Sequence, residues 1–95
     1  MELKLALIQM SVTGDKTADL HRACEAVRKA GKMDMAVLPE MFCCPYDTAC
    51  FRDYGEERGG TAYQTLAALA REQGIYLVGG TMPELENGNV YNTCY

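Results

Sequence analysis

The apolar positions of this chain change period several times along its length, and each change predicts an element. Leu5-Ala6-Leu7-Ile8-Gln9-Met10 is a nearly continuous apolar run, the pattern of a strand covered on both faces, as in a parallel sheet. It ends at Ser11-Val12-Thr13-Gly14. Leu20, Ala23, Cys24, Val27 and Ala30 then recur at i, i+3, i+4, i+7 and i+10, which marks one face of an α-helix, with Asp15 or Thr17 as N-cap and Gly31 as the stop. Met33 to Leu38 reads as a second buried strand. Pro39 closes it, because proline lacks a backbone donor and holds the residue before it extended.

From Glu40 to Gly60 no period is sustained, and Pro45, Gly55, Gly59 and Gly60 punctuate a long loop with room for a short helical turn. Long loops in compact domains are commonly functional. Tyr63, Leu66, Ala67 and Ala70 set up a second helical stripe that stops at Gly74, and Ile75-Tyr76-Leu77-Val78 supplies a third strand before Gly79-Gly80. Asn87-Gly88 is a strong hairpin dipeptide, and Val90 to Tyr95 begins a fourth strand. Strands alternating with helices predict an open α/β sheet with right-handed crossovers. A fourth strand ending at Tyr95 would leave an apolar edge open, so the chain reads as the N-terminal part of a larger fold.

The 95 residues hold 9 Lys and Arg against 13 Asp and Glu, a net charge of −4. That balance argues against nucleic acid, whose non-specific binding is carried by Lys and Arg on phosphate. No run approaches the roughly 18 apolar residues of a membrane span, and the N-terminus lacks a basic segment and cleavage site, so the expected location is the cytoplasm, with no membrane partner. Cys24, Cys43, Cys44, Cys50 and Cys94 are odd in number, two of them adjacent, and read as reduced thiols.

Leu38-Pro39-Glu40-Met41-Phe42 is the most informative stretch. In open α/β sheets ligands sit beyond the carboxyl ends of the strands, and Glu40 is the first residue able to project there after the second strand. Flanked by Met41 and Phe42, its carboxylate could be partly desolvated, a setting suited to a general base. From physics alone, a Glu after a strand is more simply a solvated loop charge or a helix cap.

Here the sequence resembles the carbon–nitrogen hydrolase family, the nitrilase superfamily. The resemblance rests on the opening strand, on Ala36-Val37-Leu38-Pro39-Glu40-Met41-Phe42, on Pro45-Tyr46, on Gly74-Ile75-Tyr76-Leu77-Val78-Gly79-Gly80-Thr81 and on Val90-Tyr91-Asn92-Thr93. It looks most like the ω-amidase branch. The resemblance implies an α/β fold, of which residues 1–95 would form a single partial domain: the N-terminal part of a four-layer αββα sandwich that continues beyond the chain. It implies a Glu-Lys-Cys hydrolase that cleaves a small non-peptide amide through a thioester, with no cofactor and no metal, and self-association into a homo-oligomer. By position Glu40 matches the general base. The family's Lys and Cys motifs do not occur before Tyr95, so the chain alone is expected to be inactive.

Tyr46 is a candidate substrate contact or a group that fixes Glu40, with packing alone as the alternative, and Phe42 is a candidate pocket wall. His21 reads as a helix-surface residue, Gly79-Gly80 as close strand packing, and Glu84, Asp53 and Glu56-Glu57 as solvated charges. Two other classes stay open: a non-catalytic α/β binding or assembly module, and a thiol-redox or metal protein using Cys43, Cys44 and Cys50. Against a metal site, their spacing is not a paired Cys-x-x-Cys.

Overall fold

A computed structural model describes residues 1–95. Its order is β1 (Leu5–Leu7), α1 (Lys16–Lys29), β2 (Met35–Val37), α2 (Phe51–Tyr54), α3 (Thr61–Gln73), β3 (Tyr76–Val78), β4 (Met82–Glu86) and β5 (Asn89–Thr93). Strands β1, β2 and β3 form a parallel sheet in that order, and β4 and β5 an antiparallel pair. The α/β class read from the sequence is the class observed. No helix is long and apolar enough to cross a membrane.

Both crossovers advance in the same direction across the sheet, so right-handed connections put α1 and α3 on the same face. The two helices touch there, and the Arg28 guanidinium bridges from α1 to Glu72 of α3 at 2.8 Å. Beneath them the register aligns Ala6 with Ala36 and Ala36 with Leu77. The small alanines let the helices approach closely. The core joins Leu20, Ala23, Cys24 and Val27 of α1 to Ala62, Leu66 and Leu69 of α3, with Leu38 and Phe42 at the end of β2.

The helical stripe of α1 is the predicted one except for its last member: Ala30 is exposed, because the helix has already ended at Lys29. Asp15 caps its start, accepting from the Ala18 amide at 3.0 Å. The stripe of α3 is rotated from the expected one. Ala62, Leu66 and Leu69 are buried, whereas Tyr63 is exposed and Ala67 and Ala70 lie half-buried along a shallow groove beside Leu77 and Tyr95. A four-alanine helix is apolar over a wide arc, so spacing alone does not select which part of it faces the core.

Two strand expectations need correction. β1 was expected to be covered on both faces, yet Leu5 and Leu7 are exposed, Leu7 by 73%, as is Tyr76 by 76%. They belong to the face opposite the helices, where Met35, Val37 and Val78, in the same register rows, are half-buried. Nor is the last strand unpaired: β5 is the fifth strand and pairs along its whole length with β4, which the sequence reading missed. Pro83, Glu84 and Glu86 disguise β4 as a loop. Its hairpin turns through Asn87 and Gly88, both with positive φ, as a type I′ loop requires.

The 40–60 stretch is irregular but firmly tied down. The Tyr54 hydroxyl donates to the Gly14 carbonyl at 2.6 Å, and Lys16 Nζ donates to the Tyr54 carbonyl at 2.6 Å. Glu56, expected as a solvated charge, instead ion-pairs with Lys16, and its Oε1 accepts from the Ala62 amide at 2.9 Å. It thereby caps α3 from four residues before Gly60, whose missing Cβ leaves room for that carboxylate. Glu84 is likewise a correction. It is only 3% exposed, accepts the Tyr95 hydroxyl and faces Arg58 at 3.6 Å.

Candidate functional site

Glu40 lies in the turn beyond the carboxyl end of β2, where the strand's direction delivers it. Three contacts hold that turn to the segment that follows β3. The Met41 amide donates to Thr81 Oγ1 at 2.9 Å, the Thr81 amide donates to the Pro39 carbonyl at 3.3 Å, and Gly80 packs flat against Pro39, Leu38 and Phe42. Met41 adopts φ 50°, a left-handed conformation rare outside glycine. The turn is therefore set by its surroundings and not by local preference.

The Glu40 side chain is exposed, as a solvated charge after a strand would be, and Met41 and Phe42 do not give it the partial desolvation the sequence also allowed. Both are buried, Phe42 within the core and Met41 on the wall of the neighbouring cavity. One carboxylate oxygen is engaged: Asn92 Nδ2 of β5 donates to Glu40 Oε2 at 2.9 Å. Sequence reading placed Asn92 in a matching motif but assigned it no role, since the two residues are 52 positions apart and only the hairpin brings them together.

A cavity of about 310 Å³ adjoins this pair, lined by Met41, Tyr46, Thr48, Phe51, Arg52, Val90, Tyr91 and Asn92. Its wall is mostly apolar with a few polar groups, the usual make-up of a small-molecule site. Tyr46 stands on its rim, 74% exposed, with its ring edge-on to Phe51 at 6.0 Å between centroids. Phe42, expected as pocket wall, is fully buried in the core and does not line this cavity; it supports the Glu40 turn from beneath. A larger, charged depression of about 490 Å³ lies around Arg58, Glu84 and the hairpin loop, away from Glu40.

The cysteines lie off the wall of the cavity beside Glu40. Cys43 and Cys44 are buried free thiols, Cys50 is half-buried, and no three His, Cys, Asp or Glu side chains converge as metal ligands would. Burial pushes the Cys43 thiol up to about 11, which opposes the thiolate that redox exchange needs. Cys43 is therefore poorly suited to the thiol exchange considered from the sequence.

Residues 4–95 match the family model for carbon-nitrogen hydrolases. The chain is 46% identical over 93 residues to omega-amidase NIT2 of Mus musculus and 40% identical over 93 residues to omega-amidase NIT2 of Homo sapiens. Each alignment covers 96% of this chain and 34% of the relative, so the chain spans about a third of the length of the curated relatives it matches. Among solved structures, Saccharomyces cerevisiae Nit3, a member of branch 10 of the nitrilase superfamily, superposes with a TM-score of 0.87 at 38% identity, over 97% of this chain and 38% of that one. XC1258 of Xanthomonas campestris, a CN-hydrolase superfamily protein, gives 0.85 at 20% identity, over 95% of this chain and 34% of that one, a likeness of fold alone.

Proposed function

This chain belongs to the carbon-nitrogen hydrolase family, and on that premise we propose that its 95 residues are the N-terminal portion of an amidase domain and supply the domain's general base, Glu40. The observation that carries this reading is the placement of the Glu40 carboxylate at the strand rim, held by Asn92 beside a cavity that Asn92 and Met41 themselves line. The substrate class proposed is a small non-peptide amide of the ω-amide type, in keeping with relatives named as omega-amidases.

In this mechanism Glu40 accepts the proton of a cysteine thiol as the thiolate attacks the amide carbonyl, and a lysine donates to the oxyanion. Glu40 then gives that proton to the departing ammonia. After the thioester forms, it takes a proton from the attacking water, and the carboxylic acid product leaves with the thiol restored. Tyr46 and Phe51 would flank the acyl chain. The family's lysine and cysteine motifs are not among these 95 residues, so the proposal includes that the chain alone turns nothing over.

Ammonia release tests the substrate assignment. The enzyme that carries these residues together with the family's lysine and cysteine should release ammonia from monoamides of short dicarboxylic acids and leave peptide amides intact. Turnover of peptides or nitriles in preference to such monoamides would overturn it.

A further inference from the structure

We infer that Asn92 is a positioning residue for Glu40, fixing which carboxylate oxygen is free to take the proton; this rests on the reading of Glu40 as the base. A carboxylate has no proton to donate, so the Asn92 carboxamide must present its NH₂ to Glu40 Oε2, at 2.9 Å. That bond leaves Oε1 as the oxygen available to a thiol or a water.

The bond is built from both sides upon one short segment. On the Glu40 side, Pro39 and Met41 are each hydrogen-bonded to Thr81. On the Asn92 side, the β4–β5 register places Asn92 opposite Pro83 and Thr93 opposite Met82. Thr81 runs directly into Met82 and Pro83, both buried. Donor and acceptor are thus each referenced to the backbone from Gly80 to Pro83, although 52 residues separate them along the chain. An exposed glutamate on a free turn would sample several rotamers; this one has a partner whose own place is set by a paired strand. Proton transfer in a positioned site is sensitive to displacement, with about 1 Å costing on the order of 10²-fold in rate.

Asn92 also lines the cavity beside Met41 and Tyr91, so the same strand that orients the base forms the wall against which substrate would lie. Its carboxamide carries no charge. It can orient the carboxylate at every stage of the reaction without forming an ion pair that would compete with the lysine.

The test compares Asn92→Asp and Asn92→Ala in the intact enzyme. Asp keeps the size and the strand register but replaces the donor with a second carboxylate, which repels Glu40. Both variants should lower kcat by about 10- to 100-fold, and Asp should be at least as damaging as Ala; kcat is the deciding quantity, because Asn92 also lines the cavity and its loss raises KM as well. A merely structural Asn92 would tolerate Asp better than Ala, and that order would overturn the proposal. So would kcat values near wild type in both. A second readout is independent of turnover: the Asn92 side-chain amide resonances should shift on Glu40→Gln, because their acceptor changes from a carboxylate to a neutral amide. Amide resonances indifferent to Glu40→Gln would contradict the contact itself. If Asn92 variants are active while Glu40→Gln is dead, the positioning role alone fails; if Glu40→Gln is active, the general-base reading fails with it.

Discussion

A Cβ placed on Gly80 would collide with the carbonyl oxygen of Pro39 and press on Leu38 and Phe42 at 3.1 Å. Gly80 also has φ +62°, a region an L side chain enters only with strain. The turn that presents Glu40 therefore needs a glycine forty residues downstream, at the end of the neighbouring strand. Gly80→Ala is expected to destabilise the protein by about 1–3 kcal/mol, through φ strain and overpacking together. It should also displace the Pro39 to Met41 turn, so activity should fall further than the loss of folded protein explains. Thermal melts beside specific activity per folded molecule check this.

Tyr95 and Glu84 make a second prediction. Burial, together with its hydrogen bond to the Glu84 carboxylate, raises the Tyr95 hydroxyl to about 12. The neutral phenol is thus favoured by the folded state over the unfolded chain, where it ionises near 10. The stability this confers is fully present below about pH 10 and is lost as pH rises to about 12. Denaturant midpoints should fall over that window in the wild type and less in Tyr95→Phe. At pH 7, Tyr95→Phe should cost about 1–3 kcal/mol, because buried Glu84 loses its hydroxyl donor.

Thiol labelling separates the cysteines. Cys43 is fully buried with its thiol held as the neutral form, whereas Cys94 is exposed. An aromatic disulfide reagent at pH 8 should modify Cys94 rapidly and Cys43 only on unfolding. Cys43→Ser should alter kcat only modestly, since Cys43 lies in the core and off the cavity wall. Rapid native labelling of Cys43 would contradict the packing described for it.

The helices and parallel strands were legible because their signals are local. Asp15, Gly31 and Gly74 punctuate the helices, and Leu20 to Val27 forms one unambiguous stripe. Asn87-Gly88 likewise announces its turn by residue type. What could not be read depends on partners distant in sequence. Glu84 and Glu56 look like solvated charges until Tyr95, Lys16 and the Ala62 amide are seen around them. Phe42 sits beside Glu40 in sequence yet enters the core, because the left-handed Met41 between them redirects the chain. Asn92 carries no local sign of its contact with Glu40. The position of Glu40 at the strand rim followed from the order of elements, and its exposure agrees with the simpler reading of a solvated charge after a strand.

Replacing Glu40 with glutamine tests the central claim most directly, since it keeps the side chain's shape and removes the proton acceptor. The measurement is single-turnover ammonia release, beside the thermal midpoint, for wild type and Glu40→Gln in the enzyme that also carries the family's lysine and cysteine. Acyl-enzyme formation should slow by about 10²- to 10⁴-fold, with the midpoint nearly unchanged because Glu40 is exposed and adds little to the core. Near-normal turnover in the glutamine form, or a loss of activity that merely follows unfolding, would contradict Glu40 as the general base.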